Sequence, residues 1–478
     1  MIKKWGNVLQ IVPALTELTS DLTFARRMQR GPRPEDAYYE TVRLYTIERF
    51  KDTAIEYMRA PAGLYSRITR AMQARNIPYT FEDCAPVELG EPQWQLMDEP
   101  RPGQDVIIAK IASSMHGQIE APTGDGKSWL IVQVCKVYPK ARVIIVVPGI
   151  GEAKNLLDRL LSVFPRPLIG QLGGGRREQD RRITVCVRNS LMKTDPAKCD
   201  ILMYDECHTA GSDWTSKALA RYVNCKMFGF SASTGMRTDK ADMMVEALFG
   251  PVIHVRTYQE SQDQGNVVPI NVVIRAVPAG PKITSSNSVV INRHGVWRND
   301  IRNALIAEDA RKYAADGTQV LVAVSTVEHG LELLKLLGDE FAFVYSQMEL
   351  SLRKRYERAG VIKPGDHPIT THERERLQTA FTKGELRRAI ATCWNQGVDF
   401  KQLGVLIRAD ATGADIKSVQ LPGRLSRTSD GKDVGTLVDY SDDWCESLHN
   451  RSLQRIRTYK KRGWSIARET RRTYGVSK

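Results

Sequence analysis

Long apolar runs are missing from this chain of 478 residues. No stretch approaches the roughly 18–20 apolar residues that a membrane-spanning helix needs, which removes the bilayer as a partner. Cysteine is sparse: eight residues, at positions 84, 135, 186, 199, 207, 225, 393 and 445. They form no Cys-x-x-Cys pair and have no histidine cluster beside them, which argues against a zinc site and a disulfide framework. Most are expected to be small buried apolar side chains. Short-period repeats and low-complexity blocks are also lacking. The start, Met1-Ile2-Lys3-Lys4-Trp5, is basic like a signal peptide, but the apolar stretch after it is short, broken by Pro13 and without a small-residue cleavage site. An intracellular, cytoplasmic protein is expected.

What remains is the composition of a folded multidomain chain: 42% hydrophobic, 26% charged and 7% aromatic. The formal charge is +14, a surplus that favours polyanionic partners such as nucleic acid. That surplus is uneven. Residues 1–100 carry 13 basic and 14 acidic side chains, whereas residues 451–478 carry ten Lys and Arg against Glu469 alone. The C-terminal segment is therefore expected to be a basic tail that binds phosphate backbone or a solvated helix.

Short β-branched runs alternate with helical stretches at 119–121, 142–147, 183–187, 201–204 and 227–231, and again at 319–324, 341–345, 388–392, 405–408 and 435–439. This rhythm predicts two tandem α/β domains, each on a parallel sheet. The polar, turn-rich stretch 260–300 is expected to connect them.

The sharpest motif is Ala121-Pro122-Thr123-Gly124-Asp125-Gly126-Lys127-Ser128, after a short strand and before the apolar run Trp129 to Val137. It reads as a P-loop, with Ala121 where the strict pattern has Gly. Gly124 and Gly126 let backbone N–H groups converge on phosphate oxygens at a helix N-terminus. Lys127 then reaches the β- and γ-phosphates and Ser128 can hold Mg²⁺. Farther on, the apolar strand Ile201 to Tyr204 runs into Asp205-Glu206-Cys207-His208. In ATPases the first such acid holds the metal and the second polarises the attacking water, the roles expected of Asp205 and Glu206.

Taken together, these motifs resemble a superfamily 2 helicase of the DExH type, over roughly residues 98–445. Phe230-Ser231-Ala232-Ser233-Thr234 is similar to motif III, with Arg237 and Asp239 after it. Thr392, Gln396, Gly397, Val398 and Asp399 resemble motif V, and Gln420-Leu421-Pro422-Gly423-Arg424-Leu425-Ser426-Arg427 resembles motif VI. Arg101-Pro102-Gly103-Gln104 resembles the adenine-reading Q motif, Pro148 and the helix after it motif Ia, and Arg188-Asn189-Ser190-Leu191 motif Ib. The resemblance implies two RecA-like domains at 98–262 and 263–448, flanked by a small α+β accessory and possible DNA-binding domain at 1–97 and the basic tail at 449–478. It implies ATP and Mg²⁺ as cofactors. The nucleotide falls to Gln104, Thr123, Gly124, Asp125, Gly126, Lys127, Ser128, Gly397 and Asp399, and the metal to Ser128 and Asp205. Catalysis falls to Lys127, Asp205, Glu206, Gln420, Arg424 and Arg427, the two arginines stabilising charge on the γ-phosphoryl group. His208, Ser231 and Ser233 would couple hydrolysis to movement, and Arg188, Ser190 and Thr392 would touch the sugar-phosphate backbone.

Pro61-Ala62-Gly63-Leu64 through Ile68, residues 75–83, and Arg298-Asn299 with Ile301 resemble phage recombination helicases of the UvsW kind and related excision-repair translocases. That favours DNA, single-stranded, duplex or branched, over RNA, and the host cytoplasm if the chain is phage-encoded. An RNA helicase with the same core, and a nucleotide-switched binding protein that does not unwind, are the alternatives.

Overall fold

The computed structural model describes residues 1–30, 34–232, 242–363, 365, 367–394, 400–413 and 421–469. The chain divides into two compact units, the first of residues 1–30 and 37–256 and the second of residues 257–478 together with 31–36. Among the described residues no helix is long and apolar enough to cross a membrane.

The first unit opens with a small α+β module. Strands β1 (Ile2–Trp5) and β2 (Val8–Ile11) are followed by a hairpin of β3 (Thr23–Gln29) and β4 (Ala37–Arg43). Strands β5 (Thr46–Arg49) and β6 (Glu56–Pro61), helix α1 (Tyr65–Ala74) and strand β7 (Phe81–Ala85) complete it. The five-stranded sheet runs β5-β6-β2-β1-β7, and the hairpin is a separate two-stranded sheet. The module rests directly on the α/β core behind it. A side chain at Gly63 would meet the backbone of residues 246, 247 and 250 at 2.4–2.8 Å, so only glycine permits this approach.

The α/β core of the first unit comprises α2 (Gln104–Ser113), β8 (His116–Glu120), α3 (Lys127–Val137), β9 (Val143–Val147) and α4 (Ile150–Leu161). Strands β10 (Ile169–Gly173), β11 (Arg176–Arg177), β12 (Ile183–Val187) and β13 (Ile201–Asp205) follow. Helix α5 (Asp213–Leu219), strand β14 (Lys226–Ser231), helix α6 (Asp242–Phe249) and strand β15 (Val252–Val255) end it. The sheet order is β11-β10-β12-β9-β13-β14-β8-β15, parallel except for the β10–β11 pair. Strands 143–147 and 183–187 are buried along their whole length, as a parallel sheet covered by helices on both faces requires.

The second unit contains α7 (Tyr258–Asp263), β16 (Ile270–Ala276), α8 (Ser288–Asn292), α9 (Asp300–Ala314), β17 (Val320–Ala323) and α10 (Val327–Leu337). After these come β18 (Ala342–Val344), α11 (Leu350–Arg358), α12 (Thr371–Lys383), β19 (Arg388–Ala391) and β20 (Val405–Arg408). Strand β21 (Gly435–Ser441), helix α13 (Glu446–Lys461) and strand β22 (Ser465–Glu469) close it. Its parallel sheet has the order β18-β19-β17-β20-β21-β16-β22.

Two expectations are corrected here. The stretch 260–300 is not only a connection: β16 lies inside the second sheet, paired with β21 on one side and β22 on the other. Turn residues at both ends, Gly265, Pro269 and Pro278, obscured the apolar strand they bracket. Nor does the C-terminal segment stand apart as a basic tail. Leu448, Ser452, Arg455, Ile456 and Tyr459 recur at helical spacing and are buried, so α13 packs on the sheet that β22 extends. Arg455, 1% exposed, donates from Nε to Asp439 at 2.8 Å and from Nη2 to the Tyr440 carbonyl at 2.7 Å. Tyr459 donates to the same carboxylate at 2.7 Å and accepts from Arg408 at 2.9 Å. These guanidinium groups hold the Asp439 carboxyl below its usual value despite burial.

Arg455→Leu is expected to remove the direct ion-pair partner of the buried Asp439, leaving it only the Tyr459 hydroxyl and the field of Arg408, at a cost of about 3 kcal/mol. Urea unfolding followed by tryptophan fluorescence checks this, and an unchanged midpoint would contradict the network's structural role.

Candidate nucleotide site

In parallel sheets, ligands gather at the carboxyl ends of the strands. The middle of the first sheet reads β13-β14-β8, and all three strands end on a predicted motif. Glu120 ends β8 and leads into the P-loop, Asp205 ends β13, and Ser231 ends β14 between them. The backbone ties them together: the Ala121 N–H donates to the Ser231 carbonyl at 3.0 Å.

Gly124 and Gly126 have φ of +103° and +94°, a region open to glycine, and Gly126 is the N-cap of α3. The loop's first-turn N–H groups thus point outward at the positive end of the helix. Lys127 Nζ donates to the Ala121 carbonyl at 3.0 Å. Thr123 and Ser128 are half-buried in the same loop.

Asp205 is recessed. Burial and the neighbouring Glu206 push its carboxyl up to about 7, against the pull of Lys127. Glu206 has φ +56°, left-handed in a non-glycine residue, a conformation of the sort held in place at working sites. Its carbonyl accepts from the Thr209 N–H at 2.9 Å, which fixes that turn. His208, 6% exposed, has Nδ1 at 3.0 Å from Ser231 Oγ and 3.3 Å from Glu206 Oε2. One imidazole therefore spans the acid of one strand end and the hydroxyl of the next.

Two predicted residues brace the loop. Asp125 is fully buried and pairs with Arg256 at 3.2 Å, and Arg256 also donates to the Pro102 carbonyl. Gln104, 1% exposed, accepts from the Arg101 N–H at 3.0 Å and donates to the Asp125 carbonyl at 3.1 Å. The P-loop is thus clasped from behind by the segment 101–104 and by Arg256. Arg256 was not foreseen: it is a lone arginine after β15, far from the loop in sequence.

Arg188 and Ser190 lie on the turn after β12, Arg188 half-buried and Ser190 9% exposed. In the second unit Arg424 ends the turn Pro422–Arg424 and is 7% exposed, and Arg427 follows half-buried. The Val268 N–H donates to the Ser426 carbonyl at 2.9 Å, anchoring that turn. Thr392, at the end of β19, lines a cavity of about 650 Å³. There Glu328 meets three guanidinium groups, Arg298 through Nε at 2.7 Å, Arg293 at 3.4 Å and Arg355 at 3.6 Å. With Glu349 also in the lining, three arginines face two carboxylates, which leaves the cavity wall with a surplus of one positive charge. Sequence reading missed this cluster because its members are scattered along the chain. Ser233, Thr234, Arg237, Asp239, Gln396, Gly397, Val398, Asp399 and Gln420 lie outside the described residues.

The raised Asp205 carboxyl yields a signed prediction. A folded value near 7 against an ordinary 3.8 means that its contribution to stability is fully present below the ordinary value and lost as pH rises through about 7. Asp205→Asn is therefore expected to raise the melting temperature above that of the parent chain at pH 8, the gain shrinking as pH falls toward 4. Calorimetry over that range checks it, and a lower melting temperature at pH 8 would refute it.

Residues 97–235 match the family model for the type III restriction enzyme, res subunit. The chain is 23% identical over 349 residues to the ATP-dependent DNA helicase uvsW of Enterobacteria phage T4, covering 68% of this chain and 64% of that relative. Among solved structures, a fragment of an HsdR subunit of a type I restriction enzyme from Vibrio vulnificus matches with a TM-score of 0.55 at 15% identity. That match covers 94% of this chain and 91% of the other. Dbp5 of S. cerevisiae, bound to RNA and ADP BeF3, matches with a TM-score of 0.56 at 13% identity over 80% of this chain and 95% of the other. These likenesses show the fold alone: two tandem RecA-like units on parallel sheets.

Proposed function

We propose that this chain is an ATP-driven superfamily 2 motor that hydrolyses ATP and unwinds or remodels DNA, on branched or forked intermediates of replication, recombination or repair. The observation that carries the reading is the meeting of P-loop, Asp205-Glu206 and Ser231 at adjacent strand ends, with His208 joining Glu206 to Ser231. The likeness to a helicase named for DNA supports the choice of track.

The P-loop N–H groups and Lys127 hold the phosphates, and Glu206 orients the attacking water. Ser128 and Asp205 are hard oxygen donors, and two protein ligands completed by water and phosphate are the usual Mg²⁺ arrangement. When bound, that ion neutralises charge on the β- and γ-oxygens. Arg424 and Arg427 add permanent positive charge during phosphoryl transfer, with Gln420, Gly397 and Asp399 as further nucleotide contacts. The coupling set is His208, Ser231 and Ser233. Arg188, Ser190 and Thr392 contact the sugar-phosphate backbone, Thr392 beside the cationic cavity wall.

Steady-state hydrolysis with no nucleic acid, single-stranded, duplex and forked DNA, and single-stranded RNA tests this at fixed salt. Greatest stimulation by the fork is expected. Stimulation by RNA alone would move the protein to RNA. Lys127→Ala is expected to lower turnover by roughly a hundredfold or more while DNA affinity is retained. Unchanged turnover in Glu206→Gln would favour a nucleotide-switched binding protein instead.

A further inference from the structure

The hairpin β3–β4 has two unlike faces. Pairing runs from Thr23 opposite Arg43 to Gln29 opposite Ala37, and alternate residues share a face. The inner face carries Phe24 and Arg26, 7% and 6% exposed, with Glu40 and Val42 opposite them. Arg26 is the anchor: it donates to Glu40 and to Asp213, both at 2.6 Å. Asp213 opens α5, the helix that follows the Asp205-Glu206-Cys207-His208 segment. The hairpin is therefore tied to the ATP-binding core by one buried guanidinium group.

Among the described residues no element buries the outer face at Arg27, Tyr39 or Thr41, and Arg43 lines the rim of an open cavity with Ser216 and Lys217 of α5. Arg27, Thr41 and Arg43 are exposed, and Tyr39 is 71% exposed. Tyr39 stands directly across the ladder from Arg27. Arg43 follows on the same face, about 13 Å along the strand from Tyr39. Among the described residues neither Arg27 nor Arg43 is in an ion pair, and Glu40, the strand's acid, lies on the opposite face. A flat, exposed aromatic ring flanked by two uncompensated guanidinium groups suits a partner with planar groups and regularly spaced negative charge. Nucleic acid has both, whereas an acidic peptide has only the charge.

We infer that the outer face of this hairpin is an accessory nucleic-acid contact, in which a base stacks on Tyr39 and backbone phosphates lie on Arg27 and Arg43. This deepens the motor reading and rests on it: the contact lies on the accessory module, and the link from Arg26 to Asp213 makes it move with α5.

The test measures binding of labelled single-stranded and forked DNA to the full chain across a salt series. Replacing Arg27 and Arg43 together by Ala is expected to flatten the log–log salt slope by roughly 1.5. Tyr39→Ala is expected to weaken binding roughly tenfold, with Tyr39→Phe restoring it, and hydrolysis without DNA unchanged in all three variants. If the parent chain binds DNA and the variants keep its slope and affinity, the surface assignment is overturned and the motor reading stands. If the parent chain binds no DNA, the motor reading itself fails. Competition by poly-glutamate as effective as by DNA would assign the face to an acidic protein and overturn the proposal.

Discussion

Everything chemical in the first unit depends on one strand being inserted between two others. β14 lies between β13 and β8, so Ser231 falls between the acid pair and the P-loop, and each motif faces its neighbour across one strand spacing. A parallel sheet imposes this without further design: side-by-side strands running the same way bring their carboxyl ends, and the loops that leave them, to one edge. The His208 contacts with Glu206 and Ser231 follow from that order. So does the perturbation of Asp205, whose carboxyl lies close to Glu206 and Lys127 in an environment that penalises charge.

Within each unit the protein uses ion pairs as braces. Arg256 clasps Asp125 behind the P-loop, Arg26 fastens the hairpin to α5, and Arg455 and Arg408 hold Asp439 and Tyr459 in the second unit. Each is a buried arginine with a carboxylate and further hydrogen bonds, the condition under which a charge tolerates burial. A chain with a large basic surplus thus invests several of its arginines internally, and net charge overstates the area offered to a polyanion.

That distinction explains how far the sequence could be read. The P-loop and the acid pair were legible because their chemistry is carried by consecutive residues at strand ends, and the strand–helix rhythm was legible because apolar runs alternate along the chain. The C-terminal segment was misjudged because counting charges hid the stripe of Leu448, Ile456 and Tyr459. β16 was overlooked between turn residues. Arg256, Arg26 and the cluster on Glu328 left no local trace, since their partners are brought to them only by the fold.

The place of β16 has a consequence for the order in which the chain becomes a structure. It is the first strand of the second unit, yet its partners are the last two, with Ile270 beside Gly435 and Asn271 beside Ser465. A ribosome that has released the entire first unit, ready to collapse on its own core, still holds the residues that complete the second sheet. Such long-range closure is slow, and through most of synthesis β16 is an apolar strand with both edges open. Translation of the closing segment, rather than of the nucleotide site, therefore decides when this protein stops being vulnerable to aggregation.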